Sequence, residues 1–183
     1  AWYSVNNVNT QSSNSGINSI RRLLGRRTII MGIINVTPDS FFDGGAHNTA
    51  NAAITHGLSL AADGADILDI GGESSRPGAE PVDSAEEMRR TLPVVNALAN
   101  AGHYVSIDTS HAQTAREAIA LGASMINDIT AMRGDPEMVD LVASAGCDYV
   151  LMHMQGTPRT MQTSPKYKDV IDDIRAFFEE RIA

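Results

Sequence analysis

Residues 104–128 read YVSIDTSHAQTAREAIALGASMIND and contain one complete strand–helix–strand unit. The apolar runs at the two ends, residues 104–107 and 125–126, are typical of strands. Both runs are continuous rather than alternating, which indicates strands that are covered on both faces. A polar residue follows each run, Asp108 in the first case and Asn127 in the second. The unit therefore predicts two parallel strands joined by a helix.

The same arrangement repeats along the rest of the chain. Further apolar runs occupy residues 28–36, 67–70 and 149–152, and the stretches between runs have the period of amphipathic helices. One of these helices begins near Ser84, which with Glu87 fits a capping box. Five strand–helix units fit two architectures. They could form a complete five-stranded doubly wound sheet, or about five-eighths of an eight-unit barrel of about 250 residues.

The polar residues at the strand ends favour the barrel. In an open sheet five strand ends spread over about 19 Å, whereas in a barrel they converge at the C-terminal rim, where barrel enzymes bind their substrates. We therefore predict a TIM (β/α)8 barrel, of which residues 28–183 supply about the first five βα units, after a polar and flexible leader at residues 1–27. The polar residues that close the five runs are Asn35, Asp69, Asp108, Asn127 and His153.

The composition excludes several classes of function. The 183 residues carry a net charge of −8, which disfavours a nucleic-acid surface, because such a surface must neutralise phosphates. No apolar run approaches the roughly 18 residues of a membrane helix. The single cysteine, Cys147, allows neither an internal disulfide framework nor a cysteine metal cage. We expect a soluble protein of a reducing compartment, the cytoplasm.

Three segments could carry the chemistry. The loop that follows Asn35 contains Phe41, and an aromatic side chain at a loop tip favours a lid that stacks on a ring. Asp69 stands within an apolar run and must find polar partners if it is buried. Asp108 and Asn127 together suit a heterocycle with an amidine-like edge, because a carboxylate accepts two N–H bonds while an amide donates and accepts. We interpret His153 as a structural residue. For the loops that follow Asn35 and Asp69, the alternative interpretation is a solvated loop without a ligand.

Five segments together, at residues 31–41, 69–79, 106–110, 126–129 and 151–156, resemble the dihydropteroate synthase family of folate synthesis. The resemblance implies a barrel transferase that condenses 6-hydroxymethyl-7,8-dihydropterin diphosphate with p-aminobenzoate. The products would be 7,8-dihydropteroate and diphosphate. It also implies Mg²⁺ as cofactor, a homodimer for the full-length protein and inhibition by sulfonamide-type analogues of p-aminobenzoate.

The resemblance also implies residue roles, although it assigns no catalytic residue. Asn35 would contact the Mg²⁺ that the diphosphate carries. The pterin and diphosphate site would comprise Asp69, Ser75, Asp108, Asn127, Ile129 and Met152, with Asp108 and Asn127 on the pterin edge and Ile129 and Met152 as apolar walls. Ser75 stands where the family usually has threonine and keeps the hydroxyl. The loops that close over p-aminobenzoate would contain Phe41, Ser75, Arg76 and Pro77.

One departure from the family is large. The family continues with a strand that bears another pterin-binding aspartate, a lysine strand and an Arg-x-His strand, and none of these is present in residues 1–183. We therefore expect these residues alone to be inactive. Two other functions remain open. One is methyl transfer from methyltetrahydrofolate to a corrinoid protein, and the other is a non-catalytic pterin-binding module.

Overall fold

The computed structural model describes residues 20–37, 45–73, 82–158 and 160–183. Five strands alternate with five helices along these residues, and a short helical segment at residues 20–23 precedes the first strand. The strands are β1 (Met31–Asn35), β2 (Ile67–Gly71), β3 (Val105–Asp108), β4 (Met125–Asp128) and β5 (Asp148–Leu151). The helices are α1 (Gly45–Ala62), α2 (Ser84–Asn100), α3 (Ala112–Ala120), α4 (Glu137–Ala145) and α5 (Val170–Ile182). No helix in the described ranges combines the length and the hydropathy that a membrane span requires.

The five described strands form one parallel sheet in the order β1-β2-β3-β4-β5. A doubly wound sheet would reverse this order partway, because its helices cover both faces. Here α1 packs against α2, α2 against α3 and α3 against α4, so these helices cover one face of the sheet. A sequential parallel sheet with its helices on one face is the arrangement of a (β/α)8 barrel. The predicted partial barrel is confirmed, and the doubly wound alternative is wrong.

The main core lies between the sheet and the helices. Alternate strand residues, among them Ile34, Ile70 and Ile107, are fully buried on this face and belong to one apolar cluster with Val94 and Leu98 of α2. β2 is buried along its whole length, which explains why its sequence is almost continuously apolar. The residues between these core positions point to the opposite, inner face of the sheet.

At the N-terminal ends of the strands, the inner face is covered by residues that precede β1. Residues 20–23 are helical, and Arg21 Nε donates to Asp148 Oδ1 at 2.9 Å. The Tyr104 hydroxyl donates to the second oxygen of the same carboxylate. Ile20 is buried in a second apolar cluster whose other buried members are Ile67, Tyr104 and Met125. The packed domain thus includes Ile20 of the predicted leader, because one apolar side chain and one ion pair hold this turn against the sheet.

Candidate functional site

Three of the predicted site residues meet on the inner face. Asn127 Nδ2 donates to Asp69 Oδ2 at 3.0 Å, although β3 lies between their strands. The β3 residue beside Asp69 is Ser106, which is small enough to leave room for this contact. Asp108 lies two residues after Ser106 on β3, beside Gly71 of β2 and Asn127 of β4. The structure therefore brings Asp69, Asp108 and Asn127 together at the C-terminal ends of β2, β3 and β4.

Asp69 has unused hydrogen-bonding capacity. The residue is only 3% exposed, and its Oδ1 has no hydrogen-bond partner among the described residues, nor has the hydroxyl of Ser106. Burial raises the pKa of Asp69, and the neighbouring polar groups of Ser106 and Asn127 partly oppose this rise. Because a buried acceptor without a donor is costly, an N–H group of a ligand would be bound favourably at this position.

Asp108 lies in a strongly acidic environment. Burial, followed by the negative charges of Asp69, Glu87, Asp128 and Glu73, raises its pKa to about 7. A free carboxylate at this position is therefore destabilised near neutral pH, and a ligand that offers N–H donors or a delocalised positive charge would relieve the repulsion. The electrostatics fit a ligand with the amidine-like edge that the sequence predicts beside Asp108 and Asn127.

Glu87 of α2 supports this site, whereas its spacing from Ser84 predicts a role in a helix cap. The residue is 1% exposed, and Oε2 accepts from the Thr109 hydroxyl at 2.7 Å and lies 3.0 Å from His111 Nδ1. The predicted capping box of Ser84 with Glu87 is wrong, because Asp83 caps α2 and accepts from the backbone of Glu86. The sequence signal that could have indicated this buried role is an acidic residue on the apolar face of a predicted helix.

Asn35 is the last residue of β1 and is exposed at the same end of the sheet. Among the described residues no group of three or more His, Cys, Asp or Glu side chains could hold a metal ion. Mg²⁺ commonly takes only one or two protein oxygens and completes its shell with water and substrate phosphates. Asn35 alone therefore does not form an independent protein cage, and its contact with Mg²⁺ stays a prediction.

The remaining predicted residues fall into three groups. Ile129 and Met152 are half-buried and directly follow β4 and β5, at the same end of the sheet as Asp108. His153 packs edge-on against the Phe177 ring of α5 at a centroid distance of 4.9 Å, as a structural residue would. Outside the described residues lie Phe41, Ser75, Arg76 and Pro77, whose roles stay predictions.

Comparisons with known proteins agree with this geometry. The family model described as "Pterin binding enzyme" matches residues 31–183. The dihydropteroate synthase of Escherichia coli K12 is 46% identical over 155 residues, which are 84% of this chain and 55% of that relative. The chain thus spans about half the length of the curated relatives it matches.

Solved structures give the same result. A Yersinia pestis dihydropteroate synthase in a sulfonamide drug complex superposes with a TM-score of 0.77 at 46% identity, over 86% of this chain and 57% of that one. A Xanthomonas albilineans dihydropteroate synthase in complex with 7,8-dihydropteroate gives a TM-score of 0.71 at 45% identity, over 85% and 54%. The family match covers most of the chain, and Asp69, Asp108 and Asn127 lie within the matched residues. The chain belongs to the family of pterin binding enzymes.

Proposed function

We propose that the chain is the N-terminal part of a dihydropteroate synthase. This enzyme would condense 6-hydroxymethyl-7,8-dihydropterin diphosphate with p-aminobenzoate. The observation that carries the proposal is the cluster of Asp69, Asp108 and Asn127, which combines a buried and a half-buried carboxylate, both of raised pKa, with an amide. Such a cluster complements the N–H edge of a pterin. The names of the relatives support the same reaction.

The chain's residues would act by stabilising charge rather than by removing a proton. The bond between the pterin methylene carbon and the diphosphate oxygen breaks, and its electron pair leaves with the diphosphate. Asp108 and Asp69 would stabilise the positive charge that spreads into the pterin ring. The amine nitrogen of p-aminobenzoate then bonds to the methylene carbon and releases its proton to solvent. When bound, Mg²⁺ would neutralise the leaving diphosphate, with Asn35 as its protein contact.

Two segments outside the described residues would complete the p-aminobenzoate site. Phe41, Ser75, Arg76 and Pro77 would close over p-aminobenzoate, and sulfonamide-type analogues would compete there. The arylamine is neutral near pH 7 and already nucleophilic, so no dedicated strong base is needed. A dissociative reaction predicts a rate that changes little with arylamine nucleophilicity. A strong dependence on that nucleophilicity would contradict it.

The open edges and the exposed inner face of the sheet favour pairing with further strands. Ile33 on the inner face of β1 is 61% exposed, and among the described strands β1 and β5 each pair on one edge only. An open parallel edge and an exposed apolar inner face are unfavourable in water. Further βα units would close the barrel, and we call this chain together with those units the complete enzyme. We expect it to be a cytoplasmic homodimer that requires Mg²⁺.

The test is a coupled assay of diphosphate release by the complete enzyme, with both substrates and with p-aminobenzoate omitted. We expect diphosphate and dihydropteroate in equal amounts, and neither without the arylamine. Asp108→Asn should abolish most turnover, whereas Asp140→Asn, which alters an exposed acid on α4, should not. Failure to release diphosphate, together with methyl transfer from methyltetrahydrofolate to a corrinoid protein, would overturn the proposal.

A further inference from the structure

The segment after β4 has an unusual backbone. Ala131 and Met132 are consecutive residues with φ angles of 53° and 63°, and in the described part of the chain only Ser164 shares this left-handed region among non-glycine residues. L-amino acids rarely adopt it, because the Cβ approaches the following carbonyl oxygen. Two such residues in succession persist only where the surroundings fix them, and such places are often binding sites.

The side chain that fixes this segment is the carboxylate of Asp128. The residue is fully buried, and Oδ1 accepts from both the backbone N–H and the hydroxyl of Thr130, each at 2.7 Å. Oδ2 accepts from the Met132 backbone N–H at 2.7 Å and from the Tyr149 hydroxyl at 2.5 Å. One carboxylate thus joins the strained segment to β5. The Thr130 hydroxyl also accepts from the Gly134 backbone, which extends the support along the loop.

The supported segment begins at the candidate site. Asn127 precedes Asp128, points to the inner face and donates to Asp69, while its backbone carbonyl accepts from Thr109 at 3.1 Å. Ile129 follows Asp128 at the rim. The same pattern occurs on β3, where the inward Asp108 is followed by the buried Thr109, whose hydroxyl is held by Glu87. In both strands an inward site residue is followed by a residue anchored on the helix-covered side.

We propose that Asp128 is a positioning residue for pterin binding, which holds the Asn127 amide and the Ile129 side chain at the orientation that the ligand requires. The proposal rests on the proposed function and deepens it. Asp128 does not touch the ligand in this account. Its four hydrogen bonds fix the segment that follows it and join this segment to Tyr149 of β5, so the residue between Asn127 and Ile129 is held in place. An apolar residue at position 128 could be buried equally well but would make none of these hydrogen bonds.

The experiment measures the affinity of the complete enzyme for a 6-substituted pterin by calorimetry, well below the melting temperature of every variant. Asp128→Asn, which places an N–H₂ group opposite existing donors, should weaken pterin binding by tenfold or more. Tyr149→Phe removes only one hydrogen bond and is the milder variant, with an expected loss of a few-fold. Hydrogen exchange at the Thr130 and Met132 amides should accelerate in Asp128→Asn.

The matched control is Asp148→Asn. Asp148 is also a buried acid bonded to a tyrosine, but it lies at the opposite end of β5, beside Arg21. The Asp148→Asn variant should have a lower melting temperature than the wild type and an unchanged affinity for the pterin. Because Asp128 acts largely through Asn127, its substitution should weaken binding much less in an Asn127→Ala background.

Two results would overturn the inference alone, provided that the wild type binds the pterin. They are an unchanged pterin affinity in a folded Asp128→Asn variant, and an equal loss of affinity in Asp148→Asn. A wild type that does not bind the pterin would overturn the proposed function, and the inference with it.

Discussion

Replacing Asp108 by asparagine should change the stability and the ligand affinity of the complete enzyme in opposite directions. The ordinary pKa of this carboxyl is 3.8, and burial among acidic neighbours raises it to about 7. Since the pKa is higher in the folded state, the protein gives up stability as the pH rises from 3.8 to about 7. One pKa unit corresponds to about 1.4 kcal/mol, so the loss above pH 7 is on the order of 4 kcal/mol before relaxation reduces it.

Asparagine has nearly the same shape and cannot ionise. We therefore expect Asp108→Asn to raise the free energy of unfolding by about 2–4 kcal/mol at pH 8 and by little at pH 4.5. Pterin binding should weaken by a similar amount, on the order of 2–4 kcal/mol, because an N–H₂ group replaces an acceptor that faces the ligand's own donors. A variant that is more stable and yet binds less tightly cannot be explained by misfolding.

The assays are urea denaturation at pH 4.5, 6, 7 and 8 and calorimetric titration with a pterin analogue. Asp140→Asn, on the exposed surface of α4, is the control that should change neither quantity. A stability difference that stays constant between pH 4.5 and 8 would refute the electrostatic reasoning, since Asp108 would then ionise normally. Unchanged pterin affinity would remove Asp108 from the binding site.

Three other predictions test the surroundings of the site. Gly72→Ala should cost about 1–3 kcal/mol of stability in urea denaturation, because an ideal Cβ would lie 2.9 Å from Thr91 Cγ2, and wild-type stability would contradict this packing. Glu87→Gln should lower the pKa of Asp108 by removing a neighbouring negative charge, which a carbon-13 NMR titration of the carboxyl can follow; an unchanged pKa would exclude the interaction. Residues 1–183 alone should melt broadly and lack activity, and a sharp two-state transition of a monomer would show that no further strands are needed.

Much of the fold follows from short-range patterns. The continuous apolar runs located all five strands within about three residues, because a strand covered on both faces has few polar positions. The polar residues that interrupt or end these runs located Asp69, Asp108 and Asn127, since only a binding or structural need explains them there. The predicted strand at residues 28–36 was longer than β1, because pairing with β2 limits the strand.

Other features depend on tertiary geometry and could not be predicted. The hydrogen bond between Asn127 and Asp69 crosses an intervening strand, which requires both the curvature of the sheet and a small residue at position 106. Glu87 fitted a cap from local spacing, and a one-residue difference in the start of α2 places it on the buried face instead. The left-handed pair at Ala131 and Met132 has no glycine or asparagine to signal it, because the strain is offset by a carboxylate and a tyrosine from neighbouring strands.

The sequential order of the sheet has a consequence for how the chain acquires its structure during synthesis. Each strand pairs with the one that follows it, as Met31 does with Ile67 and Ser106 with Met125, so partners are only about 20–40 residues apart. Each new unit that leaves the ribosome can therefore add to an edge that is already formed, without waiting for distant sequence. The second apolar cluster contains Ile20 together with Ile67, Tyr104 and Met125, so the turn at residues 20–23 can be packed completely only after β4 has joined the sheet.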